Sequence, residues 1–169
     1  KEIIHRDLKP SNLIVSEHGL VKITDFGLAK IVTSSVEITA TGIIMGTPLY
    51  MSPEQGRGDP VDHRSDIYSL GCTFYQLLTA KPPYEGDTAM AVILKHVTGQ
   101  VPVFPDLGGV GNRLAVLLTR MMQKGTHQRF QSYDELMTAV ASARSTTTRL
   151  DISAPGRTIL VAEHPDPTA

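Results

Sequence analysis

The stretch IIHRDLKPSNLIV, residues 3–15, constrains this chain more than any other. Ile3–Ile4 at one end and Leu13–Val15 at the other have the apolar, β-branched look of buried strands. Between them stand His5, Arg6, Asp7, Lys9 and Asn12. A loop tied to a core at both ends can be polar without being floppy, so these five side chains are expected at fixed positions.

The rest of the chain divides around that loop. Through residue 30 it reads as short strands and tight turns: LIV, the turn SEHG and then LVKIT form a hairpin, with Gly19 available for a positive φ. Residues 31–64 are rich in Ser, Thr, Gly and Pro, with apolar residues at no steady period, and are too long for an ordinary connection. From Ser65 to about Ala143 the pattern is helical. SDIYSLGCTFYQLLT is apolar almost all round and predicts a helix inside the domain. DTAMAVILKHVTG predicts one capped by Asp87 and closed near Gly99, and NRLAVLLTRMMQKG one running from Asn112 to Gly125. SYDELMTAVASAR opens on Ser132 with Glu135 three residues on, a capping box. From about Ser145 the chain is Ser/Thr-rich, then Pro-containing, and reads as a linker. Its strand-like TILVA is a weak hint of a following domain.

Composition removes several functions. A chain of 169 residues has room for one ordinary domain, and 16 basic against 17 acidic side chains give no electrostatic footprint for nucleic acid. The single cysteine, Cys72, cannot form an internal disulfide and reads as a small buried side chain. His18, His63, His96, His127 and His164 are not clustered with cysteines or carboxylates, so they read as exposed residues rather than a zinc site. No apolar run is of membrane-spanning length, and Lys1 opens nothing like a signal peptide. Without an initiator methionine and with its richest motif at the start, the chain is expected to be a piece of a longer protein.

Phosphoryl transfer needs a carboxylate to orient the attacking hydroxyl, a cation against the moving phosphate and oxygen ligands for magnesium. HRDLKPSN supplies all three types. Thirteen residues after Asn12 comes DFG, where a tight β-turn-β returns a second acid, Asp25, toward the first.

HRDLKPSN, DFG, GTPLYMSPE and DIYSLG stand in the order and at the spacing of the eukaryotic-like protein serine/threonine kinases, and the chain resembles the C-terminal lobe of that family, its bacterial members most of all. The resemblance implies an α+β, mainly helical fold: a kinase C-lobe over residues 1–143 with a short hairpin at the catalytic loop, and a linker or following region over 144–169. It implies that Asp7 orients or deprotonates the substrate hydroxyl, that Lys9 sits against the γ-phosphate of ATP, and that Asn12 and Asp25 hold Mg2+, with Mn2+ as an alternative. Ile14 matches the position beneath the adenine ring. His5 supports the DFG backbone, Phe26 packs inside the lobe, and Asp66 binds the backbone of the catalytic loop.

Arg6, before the catalytic aspartate, implies control by phosphorylation of the loop between DFG and SPE. Of Thr33, Ser34, Ser35, Thr39, Thr41, Thr47 and Ser52, the pair Thr39 and Thr41 have the spacing at which related bacterial kinases are phosphorylated, whereas Thr47 is expected to contact Asp7 and Lys9. Glu54 and Arg129 are expected to form a buried ion pair of the scaffold. Two departures stand out: SPE in place of APE, and KGTHQR without the usual Asp-Pro. No Gly-rich loop, strand lysine or pairing glutamate precedes Lys1, so the chain by itself is expected to bind nucleotide poorly and to expose apolar surface. Protein substrates, a kinase dimer for trans-autophosphorylation, no nucleic acid and a cytoplasmic catalytic lobe follow from the resemblance, with membrane attachment only through parts outside this sequence. A pseudokinase or regulatory binding module and a small-molecule kinase are the alternatives.

Overall fold

The computed structural model describes residues 3–25, 48–106 and 108–145; the expectations for Phe26, Thr33, Ser34, Ser35, Thr39, Thr41 and Thr47, and for the TILVA segment, lie outside them. Strands β1 (Leu13–Val15) and β2 (Val21–Ile23) pair antiparallel, with Ile14 opposite Lys22. Gly19 turns the hairpin at φ +74°, where a side chain would be strained. The expectation of buried strands fails: Ile3 is 69%, Ile14 53% and Val15 66% exposed. A two-stranded ribbon has no second layer with which to bury either face.

Among the described residues five α-helices follow. The short α1 (Pro53–Arg57) lies in what reads as loop; Ser52 caps it, Pro53 occupies its first turn and Gly58 closes it. Asp62 caps α2 (His63–Thr79) by accepting from the Arg64 N–H at 2.8 Å, so this helix starts ahead of Ser65. It is buried over Ser65–Ser69 and Gly71–Thr73 only; Phe74, Leu77 and Leu78 near its end are exposed, against the expectation of a helix covered all round. The cap of α3 (Ala89–Thr98) is Thr88 rather than Asp87, because the threonine hydroxyl accepts from the Ala91 N–H. Helix α4 (Gly108–Met121) begins ahead of Asn112, whose side chain donates instead to Asp106, and ends before Gly125. Before α5 (Tyr133–Ser145), Ser132 Oγ accepts from the Glu135 N–H, but the Glu135 carboxylate turns to the Gln131 N–H and to Arg120, so only half of the capping box forms.

Helix α2 is the central column. Its Ile67 packs with Leu118 and Met121 of α4, with Phe130 in the segment before α5 and with Leu136 of α5, while Tyr68 and Cys72 pack with Met122. Gly71 lets α4 come close: a Cβ there would stand 2.9 Å from Met122 Cγ and 3.0 Å from Met121 Cβ. Burial pushes the Cys72 thiol up to about 12, in keeping with a packing role.

His96 departs from the expectation of exposed histidines. It is fully buried, with Nδ1 2.9 Å from the Tyr68 hydroxyl and the Tyr84 ring edge-on to its own. Burial, and then the nearby Lys124 charge, hold it down at about 3, so the ring is neutral. Lys124 Nζ donates to the Tyr84 hydroxyl at 2.8 Å and to the His96 carbonyl at 2.7 Å, and burial lowers it to about 8. Among the described residues no helix is long and apolar enough to cross a membrane, and no group of three or more His, Cys, Asp or Glu could hold a metal ion.

Candidate active site

The polar loop is fixed by hydrogen bonds from the column behind it. Asp66, early on α2 and buried, accepts from the His5 N–H at 2.7 Å with Oδ2 and from the Arg6 N–H at 2.8 Å with Oδ1. Burial raises this carboxyl, and the two backbone donors partly oppose the rise. Thr73, two turns further along, reaches the Leu8 carbonyl at 3.4 Å, and Leu8 itself is buried. The loop is therefore tied to the core at His5, Arg6 and Leu8 rather than through its apolar flanks.

His5 ties the loop to the hairpin. Its Nε2 lies 3.0 Å from the Thr24 carbonyl and its Nδ1 accepts from the Asp7 N–H at 3.3 Å, which places the ring proton on Nε2. Asn12, also buried, donates from Nδ2 to the Asp7 carbonyl at 2.8 Å and accepts through its own carbonyl from the Thr24 N–H at 2.9 Å. Asp25 follows Thr24 directly, exposed and at φ +54°. These bonds bring the two acidic segments to one place.

Asp7 and Lys9 face solvent, with Lys9 Nζ 2.8 Å from Asp7 Oδ2. The residue before Asp7, Arg6, has φ +67°, a left-handed conformation that costs a non-glycine residue about 1–2 kcal/mol. Its peptide groups are held on both sides: Asp66 takes the N–H, and Gln55 Nε2 of α1 donates to the carbonyl at 3.0 Å. The Gln55 contact is absent from the sequence reading. A signal was present, since Ser-Pro-Glu-Gln has the Ser at the cap, Pro at the first helical position and Gln at the third, the mark of a capped helix start.

Beside Gln55, Glu54 meets Arg129. Arg129 donates from Nη1 to Oε1 at 2.7 Å and from Nη2 to Oε2 at 2.8 Å, and further to the carbonyls of Gln123, Lys124 and Arg64, so all five of its N–H donors are used. The Ser65 hydroxyl adds a bond to Glu54. Burial pushes the Glu54 carboxyl up, but Arg129 outweighs it and the net shift is downward. Ile14 lies on β1, exposed, while Thr39, Thr41, Thr47 and Phe26 are outside the described residues.

Hard oxygen donors suit magnesium, which keeps waters and substrate phosphates and takes one or two protein ligands. Asn12 and Asp25 fit that demand. The Asn12 amide nitrogen is used on Asp7, leaving Oδ1 as the oxygen donor, and the Asp25 carboxylate is exposed.

The protein kinase domain family matches residues 1–140. The chain is 41% identical over 135 residues to the serine/threonine-protein kinase PknB of Mycobacterium leprae, a match covering 79% of this chain and 22% of that protein. It is 42% identical over 137 residues to the protein of that name in Mycobacterium tuberculosis, again 79% of this chain and 22% of the relative. For the Mycolicibacterium smegmatis protein the identity is 41% over 137 residues, with the same coverage of each. The chain thus spans about a fifth of the length of these relatives. Mainly helical among its described residues, with one small antiparallel sheet there, a polar loop clamped to the central helix and a family match over residues 1–140, the chain belongs to the protein kinase domain family.

Proposed function

We propose that this chain is the C-terminal lobe, over residues 1–143, of a serine/threonine protein kinase that transfers the γ-phosphoryl group of ATP to hydroxyls of protein substrates. The observation that carries the reading is the Asp7–Lys9 pair, 2.8 Å apart, on a loop whose backbone the core holds at His5, Arg6 and Leu8. In this reading Asp7 accepts the hydrogen bond of the attacking hydroxyl and then its proton. Lys9 offers its ammonium to the transferred phosphate while its hydrogen bond holds the Asp7 carboxylate in place. Such preorganised charge is most of what a phosphoryl transfer asks of a protein.

Asn12 and Asp25 would hold Mg2+, with Mn2+ as a substitute, and the ion when bound neutralises charge on the phosphate oxygens. Ile14 offers an exposed apolar surface to the adenine. Arg6, exposed beside Asp7, would be the partner for a phosphate on Thr39 or Thr41, while Thr47 would contact Asp7 and Lys9 and Phe26 would pack inside the lobe. Residues 144–169 serve as a linker or open a following region. The need for ATP places the lobe in the cytoplasm, any membrane anchor belongs to other parts of the protein, and phosphorylation in trans would use a pair of kinases.

The test is phosphotransfer by the full-length protein containing this chain, with labelled Mg-ATP and a peptide substrate, beside its Asp7→Asn variant. Label on peptide and on Thr39 or Thr41, lost in the variant, is the expected result. Absence of both label and ATP binding in the unaltered protein would overturn the enzyme reading and favour a pseudokinase. Phosphorylation of a small molecule but of no peptide would reassign the substrate.

A further inference from the structure

We propose that Gln55 is a positioning residue for Asp7, and that it makes the aim of Asp7 depend on the seating of α1. This inference rests on the kinase reading above. The Gln55 side chain is 6% exposed and all its polar capacity is directed inward. Oε1 accepts from the Ser52 N–H at 3.0 Å and lies 3.0 Å from the Ser52 hydroxyl, which fixes the amide plane. Nε2, thereby aimed away from the cap, donates to the Arg6 carbonyl at 3.0 Å.

That carbonyl belongs to the peptide joining Arg6 to Asp7. Rotation of this peptide about the Arg6 Cα–C bond would swing the Asp7 N–H off His5 Nδ1 and carry the Asp7 side chain with it. Asp66 cannot prevent this motion alone, because it holds only the N–H side of Arg6. Arg6 sits at φ +67°, a minimum of higher energy than the right-handed or extended ones, so restraint on both sides of the Cα is what keeps it populated. Gln55 supplies the second side from a different helix, across 49 residues of sequence. Its neighbour Glu54 is pinned by Arg129, so the strut is anchored in the core.

Two substitutions separate the strut from the cap. Gln55→Glu keeps an acceptor for Ser52, since Glu serves a capping box as well as Gln, and removes the donor to Arg6. Gln55→Met removes both. In the full-length protein, with peptide and Mg-ATP, both variants are expected to lose kcat by about tenfold, the rate equivalent of one hydrogen bond, with KM for ATP and peptide within about twofold. Both variants should show a lower unfolding midpoint, Gln55→Glu because it sets a carboxylate oxygen against the Arg6 carbonyl in a buried site and Gln55→Met because it also loses the cap, so kcat is read per folded molecule. Full kcat in Gln55→Glu, or a loss that merely follows the folded fraction in thermal melts run alongside, would overturn the proposal and leave Gln55 a cap. An inactive unaltered protein would instead overturn the kinase reading, and with it this inference.

Discussion

Glu54 and Arg129, 75 residues apart in sequence, meet through two parallel hydrogen bonds with both side chains almost wholly out of water. The pair joins α1 to the segment before α5. Arg129→Met leaves Glu54 buried with only Ser65 as a side-chain partner, and is expected to lower stability by about 3–5 kcal/mol. Urea unfolding followed by circular dichroism checks it. A loss below 1 kcal/mol would mean that water reaches the orphaned carboxylate.

Asp66→Ala removes the acceptors of the His5 and Arg6 amides together. Each buried donor left unpaired costs about 1–3 kcal/mol, so hydrogen exchange at these two amides should accelerate by about tenfold or more while amides within α4 keep their rates. Exchange measured by NMR reads both regions in one experiment. Uniform acceleration would point to global destabilisation instead.

His96 and Lys124 make stability depend on pH in two windows. The folded His96 is held at about 3 against an ordinary 6.5, so between those values the unfolded chain binds more protons and stability rises with pH. Folded Lys124, at about 8 against 10.5, has the same sign between those limits. Unfolding free energies are expected to climb by up to about 1.4 kcal/mol per pH unit inside the acid window. Glu54, shifted downward, adds to the climb below its ordinary value, whereas Asp66, shifted upward, opposes it. The comparison that isolates His96 is therefore a urea series from pH 5 to 7 on His96→Gln, whose slope should be flatter.

Gly71→Ala places a methyl within 3.0 Å of Met121 Cβ and 2.9 Å of Met122 Cγ. Met122 can swing aside, but Met121 Cβ is fixed to the α4 backbone. Overpacking of this kind costs about 1–3 kcal/mol, read as a lowered Tm in calorimetry. An unchanged Tm would show that α4 shifts without loss.

What the sequence made legible depended on how local the cause was. The hairpin, the central helix and the residues of the polar loop follow from short patterns and motif order. Thr88 takes the place of Asp87 as the cap of α3 because two neighbouring polar candidates compete, and packing decides which side chain reaches the free N–H groups. His96 was misread because its burial comes from Tyr68, Tyr84 and Lys124, residues that no periodicity places around it. Gln55 shows the same limit at the site. Its helix was foreshadowed by Ser-Pro-Glu-Gln, but its bond to Arg6 spans two elements and leaves no mark in either stretch.

The bonds that fix the polar loop reach forward along the chain, from His5 and Arg6 to Asp66, 61 and 60 positions later, and from Arg6 to Gln55, 49 positions later. A ribosome adding about 5–20 residues per second therefore needs roughly 3–12 seconds after His5 before Asp66 has been made. For most of that interval neither Asp66 nor Gln55 is there to hold Arg6 in its left-handed turn. The fixed geometry of this loop thus arrives only after α1 and the first turn of α2 have been made.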